Sequence, residues 1–293
     1  MSTRKWITAA LAALLGLCVL LAVVAVPRTP AAQTADVAIL MYHAFTEDEA
    51  DTGSLYTLAS EFARQLSALR DAGYTSVGYA DLIEFVNGKG KLPEKPLLIS
   101  IDDGYQNNLD LAAPLLEKYG FCANIAVIGV SIGRTTYKDT DIPITPHFSL
   151  EDARPWIERG VLTVTTHSYD MHQVAAVDGD DCRRGVLQMP GEAEPDYIAA
   201  LTQDYTRAQE QLAGLPGTPL PVFTYPNGAY SELSERVLQA LGVQVTVTTE
   251  GGANRLVKGE PETLRLLHRI HVWCGTKPDM LLSRIDGALQ ALR

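Results

Sequence analysis

The sequence predicts an α/β architecture, a barrel of parallel strands preceded by an N-terminal hydrophobic helix, on three observations. Apolar runs of strand length alternate with segments of helical period, which is the pattern of βα units around a parallel sheet. Three of the early helical segments stop at a glycine, at Gly73, Gly120 and Gly160, where left-handed C-caps favour that residue. The side chains best suited to chemistry follow directly after apolar runs, at the strand ends where barrels of this kind place their sites.

The leader is a targeting device. Arg4 and Lys5 precede an apolar stretch from Trp6 to Val26 in which Thr8 is the one clearly polar residue. As a helix it would extend roughly 30 Å, one bilayer core. The apolar region of a cleaved signal peptide usually runs to about 7–15 residues, so the length favours an uncleaved anchor. Ala31, Ala32 and Ala35 keep a cleaved signal as the alternative. Either way the basic end stays inside and the remainder is exported. Residues 1–26 are thus expected as signal anchor or signal peptide, 27–36 as a linker and 37–293 as one domain, extracytoplasmic and either membrane-anchored or secreted.

Composition narrows the class. A hydrophobic fraction of 46% excludes intrinsic disorder. The 23 glycines carry no three-residue period, which excludes a collagen. A formal charge of −11 argues against nucleic acid as a partner, since phosphates need a basic face. The 4 cysteines are too few for a disulfide scaffold. Beyond Cys18 in the leader, Cys122 reads as a small buried apolar residue. Cys182 and Cys274 allow a bridge, with three free thiols as the alternative.

The elements follow in order. Val37–Tyr42 reads as a strand and Ser60–Ala72 as a helix with Phe62, Leu66 and Leu69 on one face. Leu97–Ile101 is the next strand, Leu109–Tyr119 a helix, Cys122–Ile128 a strand, Leu150–Arg159 a helix and Val161–Thr166 a strand. Asp178 to Pro195 is polar and breaks the rhythm, so it is expected as a long surface loop of functional type. Helix Asp196–Leu212, strand Val222–Tyr225, helix Glu232–Leu241, strands Val243–Thr248 and Leu264–Val272, and helix Asp279–Leu292 complete the chain.

Two clusters at strand ends carry the chemistry. Asp102 and Asp103 end the strand Leu97–Ile101, ahead of Gly104. Neighbours on an extended chain point in different directions, so one carboxylate can face a metal while the other faces substrate. His167 ends the strand Val161–Thr166, and His172 stands five residues on. That spacing does not align on a helix face, but on a strand end that turns back the two imidazoles can converge on one ion. Two histidines and a carboxylate form an open metal set of catalytic type, with a position left for water.

These pieces resemble the polysaccharide deacetylases, carbohydrate esterase family four, also called the NodB-like domain. Ser100-Ile101-Asp102-Asp103-Gly104 resembles the family's first motif, Thr166-His167-Ser168-Tyr169-Asp170-Met171-His172 its second and Phe223-Thr224-Tyr225-Pro226-Asn227-Gly228 its third. Leu267-His268-Arg269-Ile270-His271-Val272, Met41-Tyr42-His43 and Pro146-His147-Phe148 resemble one branch. The resemblance implies a distorted (β/α) barrel of about seven parallel strands and hydrolysis of N-acetyl groups on an amino-sugar polymer. It implies Asp103, His167 and His172 as metal ligands and Asp102 as general base. The metal is then a divalent cation, zinc first, with cobalt, nickel or iron also suited to this donor set. An oxyanion site is expected in the Tyr225, Pro226, Asn227 and Gly228 loop.

Departures from the family pattern leave roles open. Four residues separate the second motif's histidines where three are usual, as in the branch that deacetylates poly-N-acetylglucosamine. Thr224 stands where many members have an arginine, so no residue is assigned to orient Asp102. The family's acid lies late in the chain, which points to His268, with His43 and His271 as alternatives. Residues three apart on a strand face opposite sides, so at most one of His268 and His271 can point inward. The expected partners are an N-acetylated polysaccharide and, through the leader, the membrane. O-acetyl esters or a non-sugar amide are the alternative substrates, and a glycan-binding module without turnover is the alternative of another class.

Overall fold

Seven parallel strands curl into a barrel, each alternating its side chains between the interior and a coat of helices. The structure is a computed structural model describing residues 33–51 and 53–293. The expected anchor or signal segment, residues 1–26, lies outside these. Among the described residues no helix is long and apolar enough to cross a membrane.

The chain runs β1 (Thr34–Tyr42), β2 (Ala44–Thr46), β3 (Tyr56–Leu58), α1 (Ala59–Asp71), β4 (Thr75–Ser76), α2 (Tyr79–Val86) and β5 (Pro96–Asp103). A π-helical turn leads into α3 (Ala113–Tyr119), followed by β6 (Ala123–Val127), α4 (Leu150–Glu158), β7 (Leu162–Thr166), α5 (Ala175–Asp178) and α6 (Glu194–Leu212). Then come β8 (Val222–Thr224), α7 (Glu232–Ala240), β9 (Val245–Val247), β10 (Ala253–Val257), β11 (Ile270–His271) and α8 (Pro278–Gln290). The barrel order is β1, β5, β6, β7, β8, β9. Leu267 bridges in parallel to Val247, and β11, three residues later, pairs in parallel with β1, so this last segment spans the seam.

Side-chain phase explains the core. Leu40, Tyr42, Leu97, Ile99, Ile101 and Val164 face out and pack with Phe62, Leu66 and Leu69 of α1 and Leu281 and Ile285 of α8. In the opposite phase, Val37, Ile39, Leu98, Val222, Val247 and Leu267 fill the barrel floor against Tyr79, Leu82, Phe85 and Val86 of α2. Above that floor the interior turns polar. Asn124 Nδ2 donates to Thr165 Oγ1 at 2.9 Å, both buried. This is the layer on which the site rests.

The structure departs from the sequence expectations at several points. The expected linker ends early, because Thr34–Asp36 already pair with Arg255–Val257 of β10. The Gly251-Gly252 stretch leads into that antiparallel strand. The expected strand Leu264–Val272 is broken, with a 3-10 turn at Pro261–Leu264 and Leu266 at φ 53. The break lets one segment leave β9 and join β1. Within the expected surface loop 178–195, Arg183 is buried and pairs with Glu192 at 2.5 Å, and α6 already begins at Glu194. Cys122, Cys182 and Cys274 are free thiols.

Candidate active site

Register brings the two strand-end clusters together. Asp103 pairs with Val127, and Val127 with Thr166, so the ends of β5, β6 and β7 lie abreast and His167 follows one residue on. The His167 N–H still donates to Val127 O at 2.8 Å, which extends the ladder into the site. Asp103 and Ser168 both have left-handed backbones, at φ 74 and 70, a conformation non-glycine residues rarely adopt except where the surroundings impose it. Gly104 follows at φ 88, and a Cβ there would meet Val127 Cγ1 at 2.8 Å. The Asp-Asp-Gly turn is therefore tightly constrained.

Asp103, His167 and His172 offer donor atoms that all lie within 4.8 Å of one another. Asp103 Oδ1 is 3.7 Å from His167 Nε2 and 3.7 Å from His172 Nε2. That same oxygen is buried without a hydrogen-bond partner among the described residues, although such groups are normally satisfied. His167 Nδ1 lies 2.8 Å from the Thr224 carbonyl. A carbonyl only accepts, so Nδ1 carries the proton and Nε2 keeps its lone pair toward Asp103. Burial pushes the His167 pKa down to about 4, which keeps the ring neutral, as a ligand must be. An orphaned carboxylate oxygen facing two imidazole nitrogens fits a divalent cation.

Asp102 points to the other side of this cluster and is only 1% exposed. Arg269, fully buried, donates from Nη1 to Asp102 Oδ1 at 2.7 Å and to Ser100 Oγ at 3.1 Å. Its Nε donates to Thr248 O at 2.7 Å. Burial by itself would raise the Asp102 carboxyl, but the Arg269 guanidinium outweighs it and holds the group well below the usual carboxylate range. Arg269 is the tether that the sequence reading left unassigned. Its signal was its phase: it lies two residues before His271, on the inward face of a strand.

The candidate acids divide by the same phase rule. His43 Nε2 is 3.9 Å from Asp102 Oδ2. The His271 ring faces the His43 ring edge-on, with centroids 5.8 Å apart. His268 is out of phase with both: its side chain is 43% exposed and its Nε2 lies 3.5 Å from Glu250 Oε2. His268, the residue the sequence favoured, thus lies away from Asp102, while His43 lies beside it.

The Tyr225–Gly228 turn begins at the carbonyl that anchors His167. The Tyr225 N–H donates to Val247 O and the Gly228 N–H to Tyr225 O, and Pro226 has none. The Tyr225 hydroxyl donates to Glu235 Oε1 at 2.6 Å, with its ring in the outer core. Asn227, at φ 56, is left as the N–H of this turn to offer.

Two further residues escaped the sequence reading. Asp204 on α6 accepts the N–H of Tyr169 at 2.8 Å and of Asp170 at 2.7 Å, clamping the loop between the two histidines. Burial pushes its pKa up to about 6. A lone acid within a helical segment carries no signal of such a role. His147, to which the sequence assigned no role, is buried with its ring 4.9 Å from that of Tyr105, and neither ring nitrogen has a hydrogen-bond partner among the described residues.

The fold is an α/β barrel with a candidate metal site at its strand ends, and comparison makes the assignment specific. Residues 89–246 match the family model described as polysaccharide deacetylase. The chain belongs to the polysaccharide deacetylase family. It is 27% identical over 255 residues to YxkH of Bacillus subtilis, a protein named for the same family, covering 87% of this chain and 76% of that one. It is 21% identical over 226 residues to the poly-beta-1,6-N-acetyl-D-glucosamine N-deacetylase of Escherichia coli, covering 73% of this chain but 34% of that enzyme. The chain thus spans about a third of that relative. Among solved structures, a de-N-acetylase from Aggregatibacter actinomycetemcomitans superposes with a TM-score of 0.73 at 18% identity, over 85% of this chain and 100% of that one. At that identity the likeness bears on the fold.

Proposed function

We propose that this protein is a metal-dependent, extracytoplasmic N-deacetylase that releases acetate from an N-acetylated amino-sugar glycan. The observation that carries this reading is the orphaned Asp103 Oδ1 facing His167 Nε2 and His172 Nε2, each at 3.7 Å, beside an Asp102 held ionised by Arg269. Binding a glycan without turnover requires neither a base beside the ligand set nor a metal-ligating set of this kind. The E. coli relative's named substrate supports an N-acetylglucosamine polymer, and the leader Arg4–Val26 supports export.

A divalent cation held by Asp103, His167 and His172, zinc first among the candidates, would supply Lewis acidity toward the acetyl carbonyl and lower the pKa of water at the site. The remaining work belongs to the chain. Asp102 takes the proton of the attacking water, and Arg269 fixes the direction and charge of that carboxylate. His43, close to Asp102 at the barrel mouth, delivers a proton to the departing amine. The Asn227 N–H is the backbone donor available to the developing oxyanion. Asp204 and Thr224 O hold the histidine loop and the His167 ring in register.

The test is acetate release by the full chain from a panel of N-acetylated glycans, O-acetylated xylan and small amides. Activity on the N-acetylated glycans should vanish with chelator and return with zinc. Retained activity after complete metal removal, or release only from esters or small amides, would overturn the proposal.

A further inference from the structure

The last barrel segment carries its inward-phase residues upward in a series. Arg269, at the bottom, is buried against Asp102. His271, two residues on, faces His43. Trp273 is next in phase and stands just past the end of the ladder, where the Val272 N–H still donates to Met41 O at 2.9 Å and the Trp273 N–H turns to Thr276 Oγ1 at 3.3 Å. Successive inward residues on a strand are about 6.6 Å apart. The Trp273 ring thus stands one step above the His43–His271 pair, at the rim of the mouth, with its centroid 5.5 Å from that of His271.

This indole is 38% exposed, among few large apolar side chains left open to solvent on the described residues. It is also held in place. The Arg284 guanidinium lies over the ring at 4.5 Å, and Arg284 Nη1 donates to His271 O at 2.7 Å, so the cation is fixed as well. A tryptophan braced by an anchored arginine beside its neighbour's imidazole is a rigid platform that loses little entropy on binding. The other indole of the described residues, Trp156, packs instead with Arg159 on α4. An aromatic face suits a flat apolar surface, and the C–H face of a pyranose ring provides one while its hydroxyls stay in water.

We infer that Trp273 is a glycan subsite: a sugar residue adjacent to the one being deacetylated stacks on its open face. The inference rests on the proposed glycan substrate and adds where the polymer lies, along the rim from Asp102 past His43 and His271 to Trp273. A single sugar occupying the catalytic position does not reach the platform, so the contribution grows with chain length.

The experiment uses the full chain. Trp273→Ala in an Asp102→Asn background, titrated calorimetrically with N-acetylglucosamine oligomers of one to six units, should weaken binding of the longer oligomers by on the order of 10- to 100-fold, as for other ring-on-aromatic stacking. Binding of the monomer should not change. With Asp102 present, Trp273→Ala should raise KM for the oligomers at nearly constant kcat, and Trp273→Tyr should restore most of the loss. Zinc content should be the same in every variant. Oligomer affinity and KM unchanged in Trp273→Ala overturn the subsite, whatever the activity. If no glycan releases acetate but Trp273→Ala still abolishes oligomer binding, the deacetylase reading fails and the subsite stands.

Discussion

Replacing Arg269 with methionine isolates the interaction on which the base depends. The guanidinium is fully buried and bonds Asp102 Oδ1, Ser100 Oγ and Thr248 O. Methionine fills a similar volume but leaves Asp102 buried and unpaired. Breaking a buried pair in this way costs roughly 3–5 kcal/mol. For a domain of this size each kcal/mol moves Tm by about 2–4 °C, so a fall of about 6–20 °C is expected. The pH dependence should also invert. In the native chain the depressed Asp102 pKa contributes stability that is present above the unfolded value of 3.8 and is lost as pH falls below it. In Arg269→Met, burial loses its main counterweight and only the weaker pull of His167 and His43 remains, so that pKa rises relative to the native chain and the stability deficit shrinks as the solution is acidified and the carboxyl takes its proton. Thermal denaturation of both proteins between pH 4 and 8 reads this directly, and Asp102→Asn in the Arg269→Met background should recover much of the loss. An Arg269→Met protein with unchanged Tm, or with a deficit that stays constant across that range, would refute the electrostatic role given to Arg269.

Other outcomes follow from the same geometry. Asp103→Asn and His167→Ala should lose stoichiometric zinc while keeping a native far-ultraviolet spectrum; full zinc occupancy in either variant would exclude it as a ligand. Asp102→Asn should keep its zinc and lose turnover by roughly 10²–10⁴-fold, which metal analysis alongside acetate release will show. His43→Gln should lose turnover by a similar factor of about 10²–10⁴, and His268→Gln should stay near normal; the reverse pattern would return the acid to His268. Asp204 has a folded pKa of about 6 against an ordinary 3.8, so the folded state binds more protons between those values. Its contribution to stability therefore grows as pH falls through 6 toward 3.8, by up to about 3 kcal/mol. Asp204→Asn should remove that gain, and urea titrations at pH 7 and pH 4.5 that show the same difference between variant and parent would count against it.

Much of this protein was legible in one dimension because its signals are local. The alternation of apolar runs with helical periods needs only neighbouring residues, and it specified the βα order around β5, β6 and β7. The Asp102-Asp103 pair and the His167–His172 spacing are likewise contiguous, so the candidate donor set could be named before any contact was known. Phase along a strand was enough to say that His268 and His271 could not both face inward. Which of them does so was decided only by the closure of the barrel. The last segment breaks at Leu266, crosses from β9 to β1, and in doing so turns Arg269 and His271 inward and His268 out toward Glu250. The Arg269–Asp102 pair joins positions 167 residues apart, and Asp204 reaches the histidine loop from a helix whose sequence resembles any amphipathic surface. No local pattern encodes such pairings, because a buried ion pair or a carboxylate that caps a loop is satisfied by atoms that only the folded chain brings within reach.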